Sequence, residues 1–259
     1  MIDTHAHLNI EQYEENIDQI IQNAQKIGVN KIIVVGMDKK TSLKAIQLAN
    51  QYDMIYATVG IHPSYVDNSN HNELNELYNK NKVVAVGEIG LDFYWREDNK
   101  KLQEQIFEEQ IQKAIKLNLP VIIHTRNSFN ETYNIVKKYK NQLRGVFHCF
   151  SSNLSDAKKV IDLGFYIGID GPITFKNKNQ NLVEIVKNID LKHILIETDS
   201  PYLTPEPYRG KTNQPANVYY VAKKIAEIKK LSIDEVINTT SNNAKNLFNL
   251  EVKKNEKNI

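Results

Sequence analysis

Short apolar runs recur along the chain, separated by longer and more polar stretches. They are IDTHAHL (2–8), KIIVVGM (31–37), MIYATVG (54–60), VVAVGEIG (83–90), PVIIHTR (120–126), GVFHCF (145–150), FYIGID (165–170) and HILIETD (193–199). Their length and their wealth of Ile and Val predict eight strands. Because they are apolar on both faces, the strands should pair in parallel and be covered on both sides. Between them apolar residues fall at helical spacing: Ile17, Ile20, Ile21 and Ala24; Phe107, Ile111, Ala114 and Ile115; Val218, Val221, Ala222 and Ile225. Gly28 reads as a helix stop and Pro120 as the opening of a strand. In LSIDEVINTTSNNAKNLF, Ser232 is the expected N-cap of a last helix, with Glu235 completing a capping box.

Strand–helix alternation over about 250 residues predicts a (β/α)8 barrel. Residues 1–250 are read as a single barrel domain, and the charged EVKKNEKNI of 251–259 as a frayed tail. An open doubly wound sheet is the competing architecture. It would usually carry a Gly-rich phosphate loop after an early strand, and neither GxGxxG nor GxxxxGK[ST] occurs.

Composition narrows the function. The 259 residues carry 33 Lys+Arg against 31 Asp+Glu, a net charge of +2, so any anion binding must be local. No run approaches the roughly 18 to 20 apolar residues of a membrane span, and Met1 leads straight into Ile2 and Asp3 without a signal-like segment. Cys149 is the only cysteine, so no internal disulfide forms, which fits a cytoplasmic protein. Nothing points to a membrane or to an obligate protein partner.

The polar residues within the runs are more telling. His5 and His7 lie on the first, His62 just after the third, Glu88 on the fourth, His124 on the fifth, His148 on the sixth and Asp199 at the end of the eighth. In a barrel those ends line one mouth, where catalytic groups gather. On a strand, side chains at i and i+2 point the same way at a rise of about 3.3 Å per residue, so His5 and His7 can converge on one ion. An unpaired carboxylate after VVAVG is costly, and a cation resolves that cost. Each residue also has an ordinary reading. His124 and His148 can be core histidines, Asp199 can cap the turn at Ser200 and Pro201, and His62, before Pro63, can orient substrate or lie at the rim.

These motifs together resemble the TatD family of metal-dependent deoxyribonucleases, within the amidohydrolase-like barrel hydrolases. The resemblance runs through IDTHAHL, GIHP, GEIGLDFYW, LPVIIHTR, FHCFS, ETDSPYLTP, PYRGK and NAKNLF, over nearly the whole chain. It implies a two-metal centre in which Glu88 is shared, His5, His7 and Asp199 join it at one ion, and His124 and His148 bind the other. The chain departs from the family where HTRNS stands for HSRDA, placing Asn127 at an acidic position. It departs again where RGKTNQP stands for RGKRNEP, with Thr212 and Gln214 replacing an arginine and a glutamate.

The chemistry so implied is hydrolysis of phosphodiester bonds at DNA ends. Two cations about 3.5 to 4 Å apart would bring the pKa of a bound water near 7, and Asp199 would accept its proton. Zinc, manganese or magnesium suits the mixed imidazole and carboxylate donors, and nickel or iron the imidazoles. Arg126, Arg209 and Lys211 are candidate phosphate contacts, and Phe93, Tyr94 and Trp95 a surface on which a base stacks. Two alternatives share the barrel: a hydrolase of a small amide, ester or phosphoester, and a non-catalytic nucleic-acid or partner-binding protein.

Overall fold

The computed structural model describes residues 1–68, 71–176 and 179–250, so the tail 251–259 lies outside the described residues. All eight runs form strands: β1 (Ile2–Ala6), β2 (Lys31–Val34), β3 (Ile55–Val59), β4 (Val83–Asp92), β5 (Val121–Arg126), β6 (Gly145–Phe147), β7 (Tyr166–Ile169) and β8 (Ile194–Ile196). They pair in chain order, each with the next in parallel. A parallel bridge between Ala6 and Ser200 closes the ring. The architecture is the (β/α)8 barrel that the alternation predicts.

The helices are α1 (Ile17–Lys26), α2 (Lys39–Gln51), α3 (Lys100–Leu117), α4 (Phe129–Lys137), α5 (Leu154–Asp162), α6 (Gln180–Asn188), α7 (Val218–Lys229) and α8 (Ile233–Phe248). Each expected apolar stripe faces inward. Ile20, Ile21 and Ala24 of α1, Phe107, Ile111 and Ala114 of α3, and Val218, Val221, Ala222 and Ile225 of α7 are buried. Gly28 follows α1 with φ +90°, which suits a helix stop. The Ser232 hydroxyl accepts from Glu235 N at 3.1 Å, so Glu235 enters the cap through its backbone. One connection breaks the alternation: between β3 and β4 the described residues form 3-10 turns at Pro63–Asn68 and His71–Leu74 and no α-helix. The segment SYVDNSNHNELN is rich in Asn, Asp and Ser, whose side chains compete for the backbone and favour turns over helix.

Alternation along each strand sends every second side chain toward the barrel axis. Near the strand starts these inward positions are apolar. Ile2, Ile33, Tyr56, Val84, Ile122, Val146 and Leu195 form one cluster, plugged from below by Ala244, Leu247, Phe248 and Leu250. Two residues further along β5, and at the same spacing past Val146 and Leu195, the inward column carries His124, His148 and Glu197. The interior is therefore apolar below and polar above.

Two irregularities aim the polar layer. The register of β1 against β2 shifts between Asp3 and Ala6, and that of β4 against β5 shifts between Val86 and Ile89. His5 and Glu88 sit at these shifts, where a bulge redirects a side chain. Just beyond, Gly90 (φ +146°) lets β4 press against β5, since a Cβ there would lie 2.0 Å from the His124 carbonyl oxygen.

The seam between β8 and β1 is knit at the same level. His7 N donates to Ser200 O at 2.8 Å and Asp199 N to His5 O at 2.9 Å. The buried Asp3 carboxylate accepts from Thr198 N at 3.0 Å and Thr198 Oγ1 at 2.6 Å. Asn213 anchors the following loop, donating from Nδ2 to Thr198 O (2.8 Å) and Tyr202 O (2.7 Å) and accepting at Oδ1 from Gln214 N (2.9 Å) and Asn217 Nδ2 (2.8 Å). Asn213 is fully buried, so its loss strands partners that water cannot reach. Asn213→Ala is expected to lower the unfolding free energy by about 3 kcal/mol in urea titration. A change within experimental scatter would show that the loop is held by other contacts.

Candidate metal centre

Glu88 is the hub of the polar layer. Its Oε1 lies 2.7 Å from His148 Nε2, 2.8 Å from His124 Nδ1 and 3.6 Å from His62 Nε2. Its Oε2 lies 3.4 Å from His5 Nε2 and 3.7 Å from His7 Nε2. Asp199 Oδ1 completes that second side, 3.3 Å from His7 Nε2 and 3.6 Å from His5 Nε2. Each oxygen of one carboxylate thus faces a different group of imidazoles. The two histidines of HAH converge as their spacing predicts, Nε2 to Nε2 at 3.2 Å, although His7 lies one residue past the end of β1.

The donor set fits divalent cations. Potential ligand atoms lie within 4.8 Å of one another in His5, Glu88 and His148, in His5, His7 and Asp199, and in His62, Glu88 and His124. Imidazole with carboxylate is the chemistry of zinc and manganese sites. Among the described residues, Nδ1 of His5, His7 and His148 is buried without a hydrogen-bond partner, the Glu197 carboxylate lying 3.7 Å from that of His148, and Nε2 of each ring turns to the common centre. His5 and His148 stack with ring centroids 4.0 Å apart.

His62 lies deeper than a rim position, its ring edge-on to His124 at 4.4 Å. Its Nδ1 accepts from Ser64 N at 3.1 Å. In the neutral ring the proton must therefore sit on Nε2, which points at Glu88 as a donor. That suits a hydrogen-bond role better than a ligand role. His124 is the reverse case. Its Nε2 is 3.1 Å from Asp92 Oδ2 and its Nδ1 2.8 Å from Glu88 Oε1, and ionised carboxylates can only accept, so both ring nitrogens donate until a cation displaces the Nδ1 proton.

Asp92 was not singled out by the sequence reading. It is a second carboxylate at the end of the same apolar strand, so the reasoning applied to Glu88 covers it equally. Besides His124, it accepts from Tyr94 N at 2.9 Å and Trp95 N at 3.1 Å, which shapes the turn that lifts both rings. Glu197, buried just past β8, is likewise a carboxylate at the end of an apolar run. Gly168 makes room for it, because a Cβ there would lie 2.5 Å from Glu197 Oε1.

Burial and mutual proximity set the charges. Burial would raise Glu88, but the imidazoles of His148, His62 and His5 and the His124 hydrogen bond outweigh it and hold the carboxyl well below its usual range. Burial likewise opposes ionisation of Asp199, and His7 and His5 overcome it. His5 is pushed down to about 4 by burial and the nearby His148, and His62 to about 3 by burial and His124. Burial lowers His124 too, yet Asp92 and Glu88 lift it to about 9. The centre thus keeps ionised carboxylates beside neutral His5 and His62, whereas His124 is held protonated by its two carboxylates and must release a proton before Nδ1 can ligate a cation.

Above the hub lies a cavity of about 640 Å³, lined by His62, Tyr65, Trp95, Arg126, Cys149 and Tyr202 among others. The Arg126 guanidinium lies 4.1 Å from the Tyr94 ring centre and 5.3 Å from that of Trp95, and both rings are exposed. Phe93 does not share this surface, contrary to expectation. It is buried, with the Lys100 ammonium 4.7 Å from its ring, because successive residues turn to opposite sides as the chain leaves β4. Arg209 and Lys211 sit on the loop after β8, outside the cavity lining, over Phe175 (4.0 Å) and Tyr208 (5.6 Å). Asn127 lines a neighbouring cavity of about 470 Å³. Gln214 Oε1 accepts from Asn23 Nδ2 at 3.2 Å and Thr212 Oγ1 from Gln12 Nε2 at 3.2 Å, tying the loop to the first helical segment.

A parallel barrel with this donor set at its mouth is the arrangement of a metal-dependent hydrolase. Comparison with known proteins supports that class. A family model described as TatD related DNase matches residues 2–249, so the chain belongs to the TatD family. It is 41% identical over 254 residues to the uncharacterized metal-dependent hydrolase YabD of Bacillus subtilis (strain 168), covering 96% of this chain and 99% of that protein. Among solved structures, the TatD homologue YjjV of Escherichia coli K12 superposes with a TM-score of 0.89 at 30% identity, covering 97% of this chain and 98% of the other. A TatD family hydrolase from Entamoeba histolytica gives a TM-score of 0.86 at 26% identity, covering 96% and 97%. Among the described residues, no helix is long and apolar enough to cross a membrane.

Asp92→Asn removes the obligate acceptor that fixes the His124 tautomer. It is expected to weaken metal binding by about 10- to 100-fold in competition with a chromogenic chelator. Unchanged affinity would show that His124 needs no such partner.

Proposed function

We propose that this chain is a nuclease that hydrolyses phosphodiester bonds at DNA ends, using two divalent ions held by His5, His7, Glu88, His124, His148 and Asp199. The observation that carries this reading is the division of Glu88: Oε1 serves His124 and His148, while Oε2 serves His5 and His7. A carboxylate so placed can bridge two cations. His5, His7 and Asp199 would hold one with it, and His124 and His148 the other. Zinc, manganese and magnesium are the candidates by donor type. Such ions supply Lewis-acid stabilisation of phosphoryl charge and a nucleophile available at neutral pH.

The remaining work falls to side chains. Asp199, ionised and at the cavity wall, accepts the proton of the attacking water. His62 Nε2–H donates toward a phosphoryl oxygen, with its tautomer held by Ser64 N. Arg126 offers its guanidinium to a phosphate while Trp95 and Tyr94 give a base a face to stack on. Arg209 and Lys211, farther out, suit the next phosphate along the strand. A cavity of about 640 Å³ admits a terminal nucleotide rather than a duplex, which favours ends. The same volume also suits a small phosphoester, the second reading.

A panel of labelled single-stranded DNA, RNA and small ester and amide substrates, each with and without added divalent metal, separates the two readings. Metal-dependent release of nucleotides from DNA is expected. Turnover of small esters alone would assign the second. Asp199→Asn is expected to cut turnover by about 10²- to 10⁴-fold with the fold retained by circular dichroism, and near-normal turnover would remove its role as proton acceptor. Arg126→Ala should raise KM for DNA and reduce the salt dependence of binding by about one phosphate contact. An unaltered salt slope would place the phosphate elsewhere.

A further inference from the structure

Cys149 has no part in the reading above, yet its position is built with care. It follows His148 and lines the mouth cavity, with its backbone in the left-handed region at φ +44°. That conformation costs a non-glycine residue about 1 to 3 kcal/mol and persists only where the surroundings enforce it. Glu197 does so: Cys149 N donates to Glu197 Oε1 at 2.6 Å, in the space that Gly168 leaves open.

The thiol meets two carboxylates. Ligand atoms of Cys149, Asp170 and Asp199 lie within 4.8 Å of one another. Asp170, just past β7, is 1% exposed, and its Oδ2 is buried without a hydrogen-bond partner among the described residues. A dry carboxylate oxygen with an unspent lone pair, beside a thiol and a second carboxylate, is poised for a cation. The cavity gives that cation a route in, since Cys149 and Asp199 both line it.

We propose that Cys149, Asp170 and Asp199 form a separate, thiophilic cation site beside the imidazole centre, and that filling it inhibits the enzyme. One thiolate with two carboxylates selects zinc or cadmium over magnesium, because sulfur is a poor ligand for a hard ion. As the sulfur–metal bond forms, the thiol proton leaves to solvent. Inhibition follows from the sharing of Asp199: Oδ1 already faces His5 and His7, so a second ion on this carboxylate takes the oxygen left to accept a proton from water. The inhibitory half rests on the role given to Asp199 above, whereas the binding half does not.

Cadmium is the direct probe, because its bond to a thiolate gives an ultraviolet charge-transfer band that imidazole and carboxylate do not. The full chain has one cysteine, so the band reports Cys149 alone. Titration of the manganese-loaded protein should give a saturable band equivalent to one thiolate per chain, absent in Cys149→Ser. Asp170→Asn keeps the thiol and should weaken the band's midpoint by about tenfold or more. No band, or a midpoint unmoved in Asp170→Asn, would overturn the site. Excess zinc should also suppress hydrolysis of whichever substrate the panel identifies, with Asp170→Asn needing about tenfold more. A band without zinc inhibition would overturn the inhibitory half. Should no substrate of the panel be turned over, the absorbance titration decides the binding half unaided.

Discussion

A carboxylate held dry at the end of a buried strand needs positive charge or hydrogen-bond donors close by, and Glu88 is such a group. It is 2% exposed and follows an apolar stretch of β4 that contributes nothing polar to its solvation. What surrounds it instead is imidazole from four other places in the chain: β1 and the residue after it, the turn after β3, the end of β5 and the residue after β6. The barrel delivers these because parallel strands end at one rim in register. The apolar plug contributed by α8 keeps water from entering below.

Function follows from how this hub is framed. Bulges at His5 and Glu88 turn the side chains inward, and Gly90 brings β4 and β5 together so that Glu88 and His124 meet at 2.8 Å. Hydrogen bonds across the β8–β1 seam fix Asp199 against His5 and His7. Asp92 links the centre to its rim, since one of its oxygens holds His124 and the other shapes the turn that carries Tyr94 and Trp95. The turn carrying Tyr94 and Trp95 and the ring of His124 thus share one carboxylate.

Much of this was legible in the sequence, for physical reasons. Strands buried on both faces must be apolar runs, so all eight could be read, and a polar group at the end of such a run stands out because nothing else would tolerate it there. His5, Glu88, His124 and His148 are of that kind, and the structure brings them together. The family resemblance implies His5 and His7 at one ion and His124 and His148 at the other; in the structure Oε2 of Glu88 faces the first pair and Oε1 the second, while His5 also stacks on His148. Periodicity could not foresee the 3-10 connection after β3, where polar turn-formers replace an amphipathic stripe, nor that Phe93 turns inward while its neighbours turn out. Asp92 and Glu197 end apolar runs as Glu88 does, but what fixes their roles is their partners, His124 and Cys149, which come from distant parts of the chain. The partner of a buried polar group is a tertiary fact, which no local pattern encodes.

The central claim is that one carboxylate, Glu88, joins two cation positions. The most direct measurement is elemental analysis of the manganese-reconstituted chain beside its Glu88→Gln variant, after removal of free metal. Two ions per chain are predicted for the parent. The variant should hold at most one, and weakly, since both positions lose an oxygen. A parent that retains no manganese, or a variant that keeps two ions as firmly as the parent, would contradict the account.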